Sequence, residues 1–163
     1  ASGGYVYVAD GNYLGRGFYI VDVGGGGAGS PTSPVLADNY VTTESQYDVN
    51  VAGDYAYCAG GSGMTVFDVS TPEDISLVGT YPTPGAPLSR GICVFGGYAF
   101  ICRSNGEFLS IDIGGGVAGG SPDNPQLVGQ ITLPGDLFAV MVDVQYAYVA
   151  SHMGGLRIVQ LWD

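Results

Sequence analysis

The chain has 163 residues, about one domain's worth of polypeptide, and glycine supplies 29 of them, roughly two and a half times the usual share. Charged residues make up only 12% and hydrophobic residues 46%, a composition that excludes disorder, and the glycines lack the three-residue period of collagen. The formal net charge is -11, with no lysine and only Arg16, Arg90, Arg103 and Arg157 as basic side chains, which excludes a phosphate-binding nucleic-acid face and attraction to an anionic membrane.

Read in order, the chain is a succession of short runs rich in Val, Ile, Tyr and Phe, separated by Gly, Pro, Asn and Ser, which predicts strands. The first copy offers Tyr5-Val-Tyr-Val-Ala-Asp, Phe18-Tyr-Ile-Val-Asp-Val and Pro34-Val-Leu-Ala-Asp-Asn-Tyr. The second offers Tyr47-Asp-Val-Asn-Val, Tyr55-Ala-Tyr-Cys-Ala-Gly, Met64-Thr-Val-Phe-Asp-Val and Ile75-Ser-Leu-Val-Gly-Thr-Tyr. The third offers Arg90-Gly-Ile-Cys-Val, Tyr98-Ala-Phe-Ile-Cys-Arg, Phe108-Leu-Ser-Ile-Asp-Ile and Pro125-Gln-Leu-Val-Gly-Gln-Ile. The fourth ends the series with Phe138-Ala-Val-Met-Val, Tyr146-Ala-Tyr-Val-Ala-Ser and Leu156-Arg-Ile-Val-Gln-Leu. The Tyr-led runs recur at spacings of 50, 43 and 48 residues. Four strands per repeat with a period in the forties predict propeller blades. The fold class expected is therefore all-β, a β-propeller of four-stranded blades. About 3.5 repeats are present, as a small ring or as part of a larger one, in a single repeat domain over 1–163. The copies run from about 3–46, 47–89, 90–137 and 138–163. With the strands of a blade lettered A to D from the channel outward, the count is three A, four B, four C and three D, or 14 strands.

Three successive signatures, Tyr47-Asp-Val-Asn-Val-Ala-Gly-Asp-Tyr-Ala-Tyr, Met64-Thr-Val-Phe-Asp-Val-Ser-Thr-Pro and Leu77-Val-Gly-Thr-Tyr, resemble the LVIVD repeat family, and Gly154-Gly-Leu-Arg-Ile-Val is similar to the same repeat. The resemblance implies a propeller, typically in exported or cell-surface proteins, and carries no catalytic motif. The chain departs from the family in its glycine-rich insertions, Gly24 to Pro34 and Gly114 to Pro125.

Candidate sites are few. The tract from Gly24 to Ser30 lacks the lysine of a phosphate loop and reads as a flexible connection between strands. The recurring Asp22, Asp68 and Asp112 end the same strand in different blades, so they cannot converge on a ligand, and each is expected to accept backbone N–H groups in the next turn. Asp48, Asn50, Cys93 and Met141 fall on the channel strand, where the acid is a weak candidate for a divalent cation. Ser151 and His152 are neighbours on a strand and point to opposite faces. Cys58, Cys93 and Cys102 lack metal or redox spacing; in a hairpin turned at Gly96-Gly97, Cys93 faces Phe100 and Cys102 lies diagonal to it, so free buried thiols are expected.

The loops joining B to C and D to A share one rim. That rim is the expected ligand-binding surface: Asp10, Asn12, Arg16, Glu44, Arg90, Arg103, Glu107, Asp136 and His152, with Tyr13, Gln46 and Asn105 nearby. The function expected is a non-catalytic extracellular or cell-surface module binding a protein or ligand, without cofactor, nucleic acid or membrane insertion. A structural subunit of a surface filament is the alternative, and an enzyme acting at the rim a weaker one. A strand from outside these repeats is expected to complete at least one edge blade, with Trp162 buried at that junction. The recurring Tyr residues are expected to be buried, with Tyr55→Ala costing about 3–5 kcal/mol.

Overall fold

The computed structural model describes residues 3–12, 16–61, 63–83, 85 and 87–162. Among the described residues, fourteen strands form four antiparallel sheets in chain order, as the repeats predict. The first sheet holds β1 (Tyr5–Asp10), β2 (Gly17–Asp22) and β3 (Val35–Val41). The second holds β4 (Gln46–Ala52), β5 (Tyr55–Gly60), β6 (Gly63–Asp68) and β7 (Ser76–Pro82). The third holds β8 (Ser89–Phe95), β9 (Tyr98–Arg103), β10 (Glu107–Asp112) and β11 (Gln126–Thr132). The fourth holds β12 (Leu137–Val142), β13 (Tyr146–Ser151) and β14 (Gly155–Gln160). Within each sheet every strand pairs with the next in sequence, so the hairpins are local and the sheets are propeller blades.

Alternation along the strands explains why the blades stack. Even-numbered positions of β5, Ala56 and Cys58, face the first sheet, while odd-numbered Tyr57 and Ala59 face the third. Both sets are buried, so each middle blade needs a neighbour on either side. Three apolar clusters follow. Phe18 and Ile20 meet Phe67, Val69 and Ile75 between the first two sheets, with Phe18 and Phe67 stacked at 5.0 Å. Tyr57, Met64 and Val66 meet Ile101, Leu109 and Ile111 between the second and third. Phe100, Cys102 and Phe108 meet Leu137, Ala147 and Val149 between the third and fourth. Among the described residues no such cluster joins the fourth sheet to the first. The positions on the fourth sheet equivalent to Met64 and Val66 are Leu156 and Ile158, 64% and 61% exposed. Among the described residues the two middle blades are therefore packed on both faces and the first and fourth on one.

Two irregularities recur in register. Each inner strand is bulged at its second residue, so that Tyr47, Arg90 and Phe138 stand opposite no partner on the neighbouring strand. Each outer strand is bulged at Ala37, Val78 or Val128. Bulges of this kind re-aim side chains away from the sheet's alternation. Aspartates sew the blades together: Asp48 Oδ2 accepts the Ile92 N–H at 2.9 Å, and Asp38 Oδ2 accepts the Ile75 N–H at 2.7 Å. Asp48 Oδ1 also accepts the Val49 N–H at 2.9 Å.

The glycine insertions are not slack connections. Asp112 Oδ1 accepts the N–H groups of Gly114, Gly115 and Gly116, and Oδ2 those of Ala118 and Gly120. Asp22 does the same with Gly24, Gly25 and Gly29. Glycine suits such a loop because a Cβ on Gly120 would lie 2.1 Å from the Asp112 carbonyl oxygen. The aspartates thus have the turn-bonding role expected of them.

Tyr55 needs a correction. It is half-buried, whereas its equivalent Tyr5 is buried and donates its hydroxyl to Glu73 Oε1 at 2.6 Å. The cost expected for a fully buried aromatic therefore belongs to Phe18 or Phe67. The cysteines are free, with Cys58 and Cys102 buried, and Cys93 pairs with Phe100 as its hairpin predicts.

Candidate functional site

The rim predicted from connectivity is a real surface, closed by the same bond in three blades. The residue that begins each B–C turn donates its N–H to the loop preceding the inner strand: Gly61 to Ser45 O, Ser104 to Leu88 O and His152 to Asp136 O, each at 2.9 Å. The glycine-rich loops lie at the other end of the blades, where Val23 N–H bonds Gly4 O and Ile113 N–H bonds Gly97 O.

The rim residues do not act as one group. Arg103 is 4% exposed; it forms an ion pair with Glu107 and donates to Pro87 O at 3.2 Å, so it braces the third blade from inside. Glu107 also accepts from Gln130 Nε2. Arg16 donates to Thr43 O at 2.7 Å and ties the first blade's turn to its outgoing loop. Asp10 caps its own turn by accepting the Asn12 N–H, and Asn105 caps the next through the Glu107 N–H. Gln46 is buried, and the exposed Glu44 and Asp136 contribute backbone carbonyls to the loop bonds. Tyr13 lies outside the described residues. In the structure Arg103 and Glu107 thus brace the third blade, and Arg16 ties a loop.

What the structure does bring together is a row at the three bulges. The Arg90 guanidinium carbon lies 4.9 Å from the Phe138 ring centre and 5.9 Å from that of Tyr47. His152 continues the row, its ring 5.6 Å from Phe138 and tilted by 53°. Gly11 closes the other end, since a Cβ there would sit 3.1 Å from the Tyr47 ring. Tyr47 and Phe138 are 39% and 40% exposed, so both rings show a face to solvent. Among the described residues Arg90 has no carboxylate partner, and its Nε is buried without an acceptor. A guanidinium held between aromatic faces keeps its in-plane donors for an incoming acceptor. Connectivity alone selected Arg90 and His152 and passed over Tyr47 and Phe138. The signal for those two was their position as first residues of the same run as Arg90.

Ser151 and His152 are not a nucleophile and base pair. Ser151 is buried and donates its hydroxyl to Pro134 O at 2.9 Å, while His152 is exposed against Phe138, so the two do not meet. No group of three or more His, Cys, Asp or Glu side chains could hold a metal among the described residues. The Asp22 and Asp112 oxygens are already occupied by backbone donors, which hold both carboxyls well below the usual range.

Four antiparallel blades with their inner strands side by side define the chain as a β-propeller. The profile of the LVIVD repeat matches residues 1–42, 45–83, 88–132 and 134–160, and the chain belongs to the LVIVD repeat family. No curated protein gives a match. Among solved structures, it is similar to the computationally designed Ika4 protein at 10% identity and a TM-score of 0.68, with 96% of this chain and 86% of that one covered. BamB from Moraxella catarrhalis is 16% identical with a TM-score of 0.61, over 99% of this chain and 41% of that one. A protein from Lactobacillus plantarum is 15% identical with a TM-score of 0.69, over 96% and 53%. The chain therefore spans about half or less of the latter two.

Proposed function

We propose that the protein is a non-catalytic binding module, exported or at the cell surface, whose Tyr47–Arg90–Phe138 row takes a protein segment bearing a carboxylate. The observation that carries this reading is Arg90, a cation without a carboxylate partner among the described residues of a chain of formal charge -11, set between two half-exposed rings. Arginine and large aromatics are the residues enriched where partners bind tightly. The surrounding acidity favours selectivity, because an acidic partner is repelled unless its carboxylate reaches Arg90.

The test uses a displayed library of linear peptides panned over the wild-type protein. Enriched peptides carry Asp or Glu beside an aromatic or aliphatic residue, and lose at least tenfold in affinity for Arg90→Ala and for Phe138→Ala. Val117→Asp, at the opposite rim, leaves them unchanged. Binders that ignore both rim substitutions overturn the reading.

One observation favours a second reading, a structural subunit assembled from several copies: the first and fourth sheets each present exposed apolar residues, Val8 and Leu36 on one and Leu156 and Ile158 on the other. A sedimentation coefficient that rises with concentration supports it, and one that stays constant excludes it.

A further inference from the structure

We infer that a cleft between the first two blades binds a neutral sugar unit. The cleft has a volume of about 290 Å³, at the lower end of the range for small-molecule sites, roughly 300–1,000 Å³. It runs between the end of β3, with the loop that follows, and the strands β6 and β7. It shares no residue with the Tyr47–Arg90–Phe138 row and is independent of the reading given to that row.

Comparison of the blades shows why this corner is open. The last residue of β5, Gly60, and the third of β6, Thr65, face the first blade by alternation with Cys58 and Phe67. At the next interface the equivalent positions are Arg103 of β9 and Leu109 of β10, which are 4% and 3% exposed and fill the corner. Between the third and fourth blades Arg157 of β14 holds the place of Thr65. Glycine and threonine at the first interface leave the space unfilled. Gly60 also makes room for Gln46 on the floor, since a Cβ there would lie 2.8 Å from Gln46 Oε1. Gln46 is 1% exposed, and its Oε1 accepts no hydrogen bond among the described residues, so the floor is polar and lacks a donor.

The walls select the ligand. Thr43, Thr65 and Thr80 offer hydroxyls that both donate and accept. Thr42 donates its hydroxyl to Glu44 O and keeps its lone pairs, and the Glu44 carboxylate only accepts. Thr65 and Thr80 stand opposite one another across β6 and β7, on the same face. Tyr40, Val41 and Leu77 add apolar surface, with the Tyr40 ring anchored 5.2 Å from that of Phe67. A sugar ring matches this mixture, because its hydroxyls donate and accept while its C–H faces are apolar. No arginine is among the described lining residues and Glu44 is, so phosphate, sulfate and carboxylate groups are repelled. An alkyl ammonium ion would satisfy Glu44 but brings no acceptor for the threonine donors.

Saturation-transfer NMR with methyl glycosides of neutral hexoses, together with an array of immobilised glycans, tests the site. The expected result is saturable binding of at least one neutral sugar. Binding of the free glycoside marks a small-molecule ligand, and binding on the array alone marks the end of a longer glycan; either outcome supports the inference. Thr65→Leu, which installs the residue of the third blade, abolishes binding. Thr80→Val, at an exposed position, weakens it about tenfold, the effect of one lost hydrogen bond. Arg90→Ala leaves it unchanged, which separates the cleft from the rim row. Circular dichroism melts show that the variants remain folded; were Thr65→Leu to unfold, Thr80→Val decides. No binding of any neutral sugar, binding confined to sialylated or sulfated glycans, or binding that survives Thr65→Leu or Thr80→Val overturns the inference.

Discussion

Asp112 is fully buried, and its two oxygens take backbone N–H donors from a loop that is almost all glycine. Those donors favour the charged form and hold its carboxyl well below the usual carboxylate range; Asp22 is lowered for the same reason, and Asp68 by the Ser70 hydroxyl and then the Ser70 N–H. A group whose folded pKa is depressed stabilises the fold above its unfolded value, near 4, and loses that contribution as pH falls through the folded value. The melting temperature is therefore expected to be level from pH 7 to 5 and to fall below pH 4. Asp112→Asn should lower it at pH 7 and flatten the acid limb, read by thermal melts across that range. An apolar residue gives a comparable test. Phe67 is fully buried between Phe18 and Tyr40, so Phe67→Ala should cost about 3–5 kcal/mol in denaturant melts, and the half-buried Tyr55 markedly less. Burial pushes the Cys102 thiol up to about 12 and that of Cys58 higher still. A thiol reagent at neutral pH should leave both unlabelled until the protein unfolds.

At the scale of the element, the strands were legible because each blade repeats the same chemistry. Tyr followed two residues on by Tyr or Phe opens the second strand, a mostly apolar run ending in Asp closes the third in three of the four blades, and every hairpin is local. Gly96 and Gly97 both have positive φ, 61° and 80°, as a tight turn between β8 and β9 requires. The bulges were not legible. Tyr47, Arg90 and Phe138 read as ordinary strand residues, since a period of two gives no sign that one residue is skipped in the pairing. The rim appeared in the sequence as a set of polar loop residues, yet its row is half aromatic and sits on strand ends. Arg103 and Glu107 misled in the opposite direction, because a charged pair four residues apart in a turn reads as surface until the buried ion pair is seen. Deleting Arg90, the residue skipped in the pairing, should straighten β8 and leave Ile92 to Phe95 paired with Ile101 to Tyr98, so it should cost little more stability than Arg90→Ala. Comparing the two denaturation midpoints checks this.

In the whole molecule, as far as its residues are described, two middle blades are packed on both faces and flanked by two packed on one. The exposed Leu156 and Ile158 follow from that arrangement. Hydrogen exchange resolved by strand tests it most directly. Amides of β5, β6, β9 and β10 should exchange slowest, while β3 and β14, edge strands of the terminal blades, should exchange many times faster. Protection of β14 equal to that of β10 in the isolated protein would contradict the account, because it would show the last blade already paired and covered.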